Sequence, residues 1–277
     1  MPSDAIPQAG SGGWNVLAMS NDDPRKILIV AITLCLVCAV LVSAAAVLLK
    51  PLQERNQALA VKRQIVSVAG LAVPGADVEK VFRERVETRI VDLDSGDYVE
   101  GVDPTGFDPR AAARNPATSR ALDSEADIAR IKRRANRAPV YLVHEGGRLK
   151  TIILPVHGYG LWSTMYGFLA LAGDATTITG ITFYEHGETP GLGDAIANPD
   201  WQAGFQGKQA YDAAGDVRIT VVKGGVDRNS PDARYQVDSI AGATLTSNGV
   251  ANLLHFWLSD LGFGPYLERL RKTGDTS

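Results

Sequence analysis

The chain has 277 residues, 28 basic against 31 acidic, a net charge of −3 and a 45% apolar composition. That is enough apolar material for a packed core, which excludes disorder over the whole length, and the mildly acidic balance excludes the electrostatic footprint of a nucleic-acid binder. Two cysteines exclude a disulfide framework and a four-thiolate metal site.

Residues 1–26 form a short N-terminal segment, assigned to the cytoplasm. Residues 27–49 carry no charge and only Thr33 and Ser43 as polar breaks. At ~1.5 Å per residue this run crosses a hydrocarbon core of ~30 Å. It is too long, and begins too far into the chain, for a cleaved signal peptide. It is apolar on every face, unlike a helix of a soluble core. A single spanning anchor follows, with Arg25, Lys26 and Lys50 at its ends. Counting basic flanks alone would keep the large domain in the cytoplasm. Cys35 and Cys38 form a C-x-x-C inside the apolar run, where free cysteines behave as small hydrophobes.

Residues 50–93 read as connecting helices. The first continues out of the membrane to about residue 69 and breaks at Pro74-Gly75. Asp77 caps the second, in which Val78, Val81, Phe82 and Val86 fall at helical spacing. Residues 94–138 read as an inserted loop, with two Asp-Pro pairs and a short helix near 126–134. Its charge run, Arg130, Lys132, Arg133 and Arg134, reads as a solvated face. Residues 139–277 form the main domain. Strands are expected at 140–144, 149–156, 165–172, 177–184, 217–222 and 234–238, the first two joined by the hairpin signal Glu145-Gly146-Gly147-Arg148. A short helix starts at Pro199-Asp200 and carries Trp201 and Phe205. A last helix covers 247–261, with Val250, Leu253, Leu254, Trp257, Leu258 and Leu261 in one stripe. Hairpin strands flanked by helices imply an α+β fold: a transmembrane helix, then a mainly antiparallel sheet with flanking helices.

The segment 238–247, Asp-Ser-Ile-Ala-Gly-Ala-Thr-Leu-Thr-Ser, joins a strand to that last helix. Gly242 and Ala243 let a bulky group approach the backbone. Thr246 or Ser247 is placed to cap the helix, whose first N–H groups suit an anion near Thr244. The same pattern is also that of a capped helix after a tight turn. Elsewhere, His144, His157, His186 and His255 lack metal-ligand spacing. Ser239 lacks the G-x-S-x-G of a hydrolase. No G-x-G-x-x-G or Walker motif is present to hold a dinucleotide. No catalytic residue of its own is assigned to the chain.

Asp238, Gly242, Ala243 and Thr244 resemble the acceptor motif D-x-x-(S/T)-G-A-T of covalent flavinylation, with Ala241 in place of the usual Ser or Thr. Gly158-Tyr159-Gly160-Leu161-Trp162, Glu188-Thr189-Pro190-Gly191-Leu192-Gly193 and Val222-Lys223-Gly224-Gly225 add to the likeness. Together with the anchor they resemble the NqrC family of the sodium-translocating NADH:quinone reductase. The Rnf-complex G subunit shares the anchor and motifs but is shorter, so the extra segment 94–138 favours the quinone-reductase family. The resemblance implies an FMN held as a phosphoester on Thr244 by a flavin transferase. It offers Leu161 and Trp162 as packing for the ring and Glu188, Thr189 and Leu192 as a loop presenting N–H groups to it. Lys223 would balance negative charge. It implies electron relay from an iron–sulfur-bearing subunit to a second FMN-bearing membrane subunit. It also implies a bacterial inner-membrane location with the domain in the periplasm, where the transferase works, against the charge count. The alternatives are an Rnf-type flavin subunit and an assembly subunit that is never flavinylated.

Overall fold

The structure is a computed structural model that describes residues 24–273. Most of the expected N-terminal segment, residues 1–23, lies outside the described residues. The chain divides into two compact units, Met1–Gln57 and Ala58–Ser277.

In the first unit the apolar run is helical throughout, as part of helix α1, Pro24–Val68. This helix is long and apolar enough to cross a membrane. Pro51, which removes one helical hydrogen bond, falls just after the apolar stretch. Cys35 and Cys38 are exposed on the helix, among its apolar side chains.

The second unit begins with the last turns of α1 and a short helix, α2, Val78–Arg85. Asp77 caps α2, accepting the N–H groups of Glu79 and Lys80 at 2.9 and 3.3 Å. The chain then enters a strand, β1, Glu87–Asp92, inside the stretch expected to be helical. Helix α3, Pro109–Arg114, and a two-stranded ribbon of β2, Ser119–Ala121, and β3, Arg133–Ala135, follow. Four long strands come next: β4, Arg137–Glu145, β5, Arg148–Tyr159, β6, Thr164–Ala172, and β7, Ile178–Glu185. With β1 they make one antiparallel sheet in the order β1-β4-β5-β6-β7.

Side chains alternate across these strands. Ile152, Leu154 and Val156 join the larger core, while Ile153 turns to the opposite face. That second face is covered by Ile65 of α1 and Phe82 of α2, over Val143, Phe168 and Ala170. Both faces are therefore dry, which is why β5 and β6 read as nearly unbroken apolar runs rather than as an alternation. A 3-10 turn at Gly193–Ala197 and helix α4, Pro199–Ala203, lead to β8, Thr220–Val222. A second 3-10 turn, Pro231–Tyr235, precedes β9, Gln236–Asp238. Helices α5, Thr244–Leu258, and α6, Gly264–Thr273, complete the larger core.

Several sequence expectations are corrected. The helix of the inserted segment is α3, not 126–134. Asp108 caps α3 and Pro109 takes its first position, so the Asp-Pro pair marks a helix start rather than a loop. At 127–132 the Asp127 carboxylate takes the N–H groups of Ile131 and Lys132, at 2.8 and 2.7 Å. This local bonding replaces a helix. The basic run is a solvated face only in part: Arg130 and Lys132 are exposed, Arg133 is half-buried and Arg134 is buried. Arg134 is 0% exposed, donating to the Leu261 carbonyl and to Asp94 at 2.7 and 2.5 Å. Arg133 bonds the backbone and hydroxyl of Ser119. The strand expected at 217–222 is confined to β8. The one expected at 234–238 is half 3-10 turn, and β8 and β9 pair in parallel, Val222 opposite Asp238.

Candidate functional site

Helix α5 sets the frame. Gly249 lies against the Tyr159 carbonyl and the Gly160 Cα, where a Cβ would stand 2.7 and 3.0 Å from them. Only glycine permits this approach, so the first turns of α5 press onto the loop after β5. Further along, Trp257 donates from its indole to the His157 carbonyl at 2.7 Å. His157 lies between the rings of Trp257 and Tyr166. Burial, with the positive charge of Arg110 beside it, pushes the His157 imidazole down to about 4.

The helix starts at Thr244, three residues before the expected start, so Thr246 and Ser247 lie inside it and do not cap it. Ala243 holds the cap position and no side chain caps the helix. Thr246 and Ser247 are buried for other reasons. Ser247 Oγ accepts the N–H of Ile240 at 3.0 Å, which closes the turn 240–247. Thr246 donates its hydroxyl to Glu188 Oε2 at 2.5 Å. Thr244 itself is exposed.

Glu188 is 4% exposed and joins three segments. It accepts the N–H groups of Leu161 at 3.1 Å, Trp162 at 3.0 Å and Ser163 at 3.4 Å, besides the Thr246 hydroxyl. Burial pushes its carboxyl up, but the hydrogen bonds from Thr246, Trp162, Leu161 and Ser163 outweigh that and hold it below the usual carboxylate range. Its side chain is thus directed inward, to the 160–163 loop and α5. Two further bonds tie the same loops: Gly187 N–H to Ser163 Oγ at 2.6 Å, and the Trp162 indole to Thr189 Oγ1 at 2.9 Å.

Gly242 has φ +76°, and a Cβ there would meet Leu192 at 3.1 Å, so this position suits glycine on both counts. Ala243 is buried behind it. Among the described residues outside α1, the large exposed apolar side chains are Val73, Ile128, Leu161, Trp162, Leu192 and Leu245. Four of these six belong to the segments that meet here, and Trp162 is 63% exposed despite its size. A concentration of this kind marks a surface that receives something apolar. Asp238 Oδ1 accepts the Val226 N–H at 2.6 Å, holding the loop after β8. Lys223 is exposed at the start of that loop, one residue beyond Val222, which the β8–β9 register sets opposite Asp238.

The expected residues therefore fall into two groups. Leu161, Trp162, Glu188, Thr189, Leu192, Gly242, Ala243 and Thr244 share connected loops around the start of α5. Asp238 and Lys223 form a second strand end leading into the turn. Sequence reasoning misses Thr246 and Ser163 as partners in the site. Their hydroxyls carry no motif of their own, and only the fold brings them to Glu188 and Gly187. Among the described residues no group of three or more His, Cys, Asp or Glu is placed to hold a metal ion.

Comparison with known proteins agrees with this geometry. An FMN-binding domain model matches residues 160–259, the span from the Leu161–Trp162 loop to the end of α5. The NqrC subunit of the Na(+)-translocating NADH-quinone reductase of Pseudomonas aeruginosa is 51% identical over 256 residues, 91% of this chain and 98% of that relative. Its Vibrio vulnificus counterpart is 48% identical over 92% of this chain and 98% of its own length. The crystal structure of Shewanella oneidensis NqrC superposes with a TM-score of 0.71 at 36% identity, covering 77% of this chain and 97% of that one. The chain belongs to the NqrC family of Na(+)-translocating NADH-quinone reductase subunits and carries that family's FMN-binding domain.

Proposed function

We propose that the chain is a membrane-anchored flavoprotein subunit that relays electrons through an FMN esterified to Thr244. The observation that carries this reading is an exposed threonine at the first position of an uncapped helix, among exposed apolar side chains. The residues present fit FMN in three respects. The Thr244 hydroxyl is accessible for esterification. The uncapped N–H groups of α5 favour the phosphate charge. Leu161, Trp162, Leu192 and Leu245 offer apolar surface to a ring system. Asp238 and Lys223 flank the turn, and Lys223 supplies a positive charge.

On this reading a flavin transferase joins the phosphorus of the FMN half of FAD to Thr244 Oγ1. The phosphoanhydride bond breaks, AMP leaves and the hydroxyl proton is lost. Bound FMN supplies the ability to accept and release electrons one at a time, tuned by its surroundings. The chain's own residues hold the tether, exclude water from one side of the site and fix the loops around it. The electron donor would be an iron–sulfur-bearing subunit and the acceptor a second FMN-bearing membrane subunit. The soluble unit would face the periplasm of a bacterial inner membrane, where the transferase acts.

The test is coexpression of the full chain with a flavin transferase, followed by intact-mass measurement and in-gel flavin fluorescence. The wild-type chain is expected to gain the mass of one esterified FMN, and Thr244→Ala is expected to lose both mass and fluorescence. An unmodified wild-type chain would overturn the reading in favour of an assembly subunit that is never flavinylated. Persistent label in Thr244→Ala would move the acceptor elsewhere. Copurification with a ferredoxin-oxidising rather than an NADH-oxidising partner would favour the Rnf-type assignment.

A further inference from the structure

The loop Gly160–Ser163 is gripped on its N–H side by Glu188, and a second grip closes on its carbonyl side from the inserted segment. Arg130 Nη2 donates to the Gly160 carbonyl at 2.7 Å, with its guanidinium 4.6 Å from the Tyr159 ring centre. The Tyr159 N–H donates to the Ala129 carbonyl at 2.8 Å, and the Tyr159 hydroxyl donates to the Trp162 carbonyl at 3.0 Å. Arg130 reaches this position with φ at +53°, a left-handed conformation rare for a side-chain-bearing residue. The strain is held by Asp127, whose two carboxylate oxygens accept the N–H groups of Ile131 and Lys132, while its carbonyl accepts the Arg130 N–H at 3.0 Å. A strained residue maintained by dedicated bonds, with its cationic group on one particular carbonyl, is a feature that turns up at functional loops.

We infer that Arg130 is a positioning residue of the flavin site, fixing from the inserted segment the peptide planes that aim Leu161 and Trp162. The inference deepens the reading of an FMN on Thr244 and rests on it for the flavin's response. Segment 94–138 thereby gains a role, the delivery of a guanidinium to the loop that walls the cofactor. Arg130 acts through Gly160 and Tyr159 and needs no contact with the flavin itself. With carbonyls bonded to Arg130 and Tyr159 and N–H groups bonded to Glu188, the loop has one orientation.

The test uses the full chain coexpressed with its flavin transferase, as wild type, Arg130→Gly and Arg130→Lys. Glycine tolerates the positive φ, so Arg130→Gly removes the guanidinium without adding strain. Hydrogen exchange at the Leu161, Trp162 and Ser163 amides is expected to quicken roughly tenfold in Arg130→Gly, as for loss of one charged hydrogen bond. The visible circular dichroism and the reduction potential of the bound flavin are expected to shift with it in the chains that carry FMN, with a melting temperature lowered by a few degrees. Arg130→Lys is expected to fall between the two. Unchanged exchange in Arg130→Gly would overturn the inference, as would faster exchange with unchanged dichroism and potential. A wild-type chain without FMN would overturn the flavin reading instead, and the exchange measurement would still decide whether Arg130 fixes the loop.

Discussion

A single carboxylate, Glu188, accepts from three consecutive backbone N–H groups and one hydroxyl. Glu188→Gln turns a pure acceptor into a group with its own donors, which would face the Trp162 or Thr246 donors. The expected cost is about 2 kcal/mol, the scale of a hydrogen bond to a charged group, read as a lower urea midpoint. Because the folded-state carboxyl is held below its usual range, its stabilisation is present above the unfolded pKa. It is lost as pH falls through the folded value. His157 gives a second pH dependence, at a higher range. Its folded value of about 4 lies below the ordinary 6.5, so below pH 6.5 the unfolded chain takes up a proton that the folded one refuses. Stability should fall from pH 6.5 toward 4, by up to about 1.4 kcal/mol per pH unit. In His157→Phe that slope should be lost, measured as the difference between wild-type and variant unfolding curves. Neither role is legible in the sequence. Glu188 looks like a turn acid because its donors lie 25 to 27 residues before it and 58 after it. His157 differs from other scattered histidines only through the aromatic rings that the fold places around it.

At the scale of elements, sequence signals are legible where local chemistry decides them. Asp77 caps α2 as its position implies, and Asp77→Ala should cost about 1 kcal/mol in thermal unfolding. The long strands are legible because a two-faced apolar core leaves runs of large aliphatic residues. Elements fixed by distant partners are not. Helix α5 begins three residues earlier than its sequence suggests, because Thr246 and Ser247 have the chemistry of caps. Their hydroxyls are spent on Glu188 and Ile240, so the helix starts without a side-chain cap. Arg134 resembles surface charge, yet it pins β3 to the Leu261 carbonyl between α5 and α6, 127 residues away. Arg134→Ala leaves that carbonyl without its donor and leaves Asp94 paired with Arg120 alone. It should destabilise the soluble unit by about 2 kcal/mol, the scale of a lost hydrogen bond from a charged group to a carbonyl, measured by chemical denaturation.

At the scale of the whole molecule, average composition conceals two unlike parts. They are separable in the sequence because an uncharged run of membrane length fits few roles besides a span. Hidden from it is the point where the soluble unit takes over α1. Ile65 is buried on the second face of the sheet with Val86, Val143 and Phe168, and Gln64 accepts from the Thr182 hydroxyl at 2.8 Å. A chain beginning at Ala58 should therefore stay soluble and keep its melting temperature. A chain beginning at Gly70 should lose about 3 kcal/mol or more, since Ile65 and Val66 would no longer be buried. Thermal unfolding of the two truncations decides this.

The saturation of Glu188 also bears on the rate of electron movement. An electron transfer step is slowed when surrounding dipoles must turn to meet the new charge. Here the N–H groups of Leu161, Trp162 and Ser163 are already committed to a fixed anion, and the Gly160 carbonyl to a fixed cation. On the proposed reading these dipoles are locked before the electron arrives, so the wall of the site contributes little reorganisation energy. Exchange in either direction then has a low intrinsic barrier.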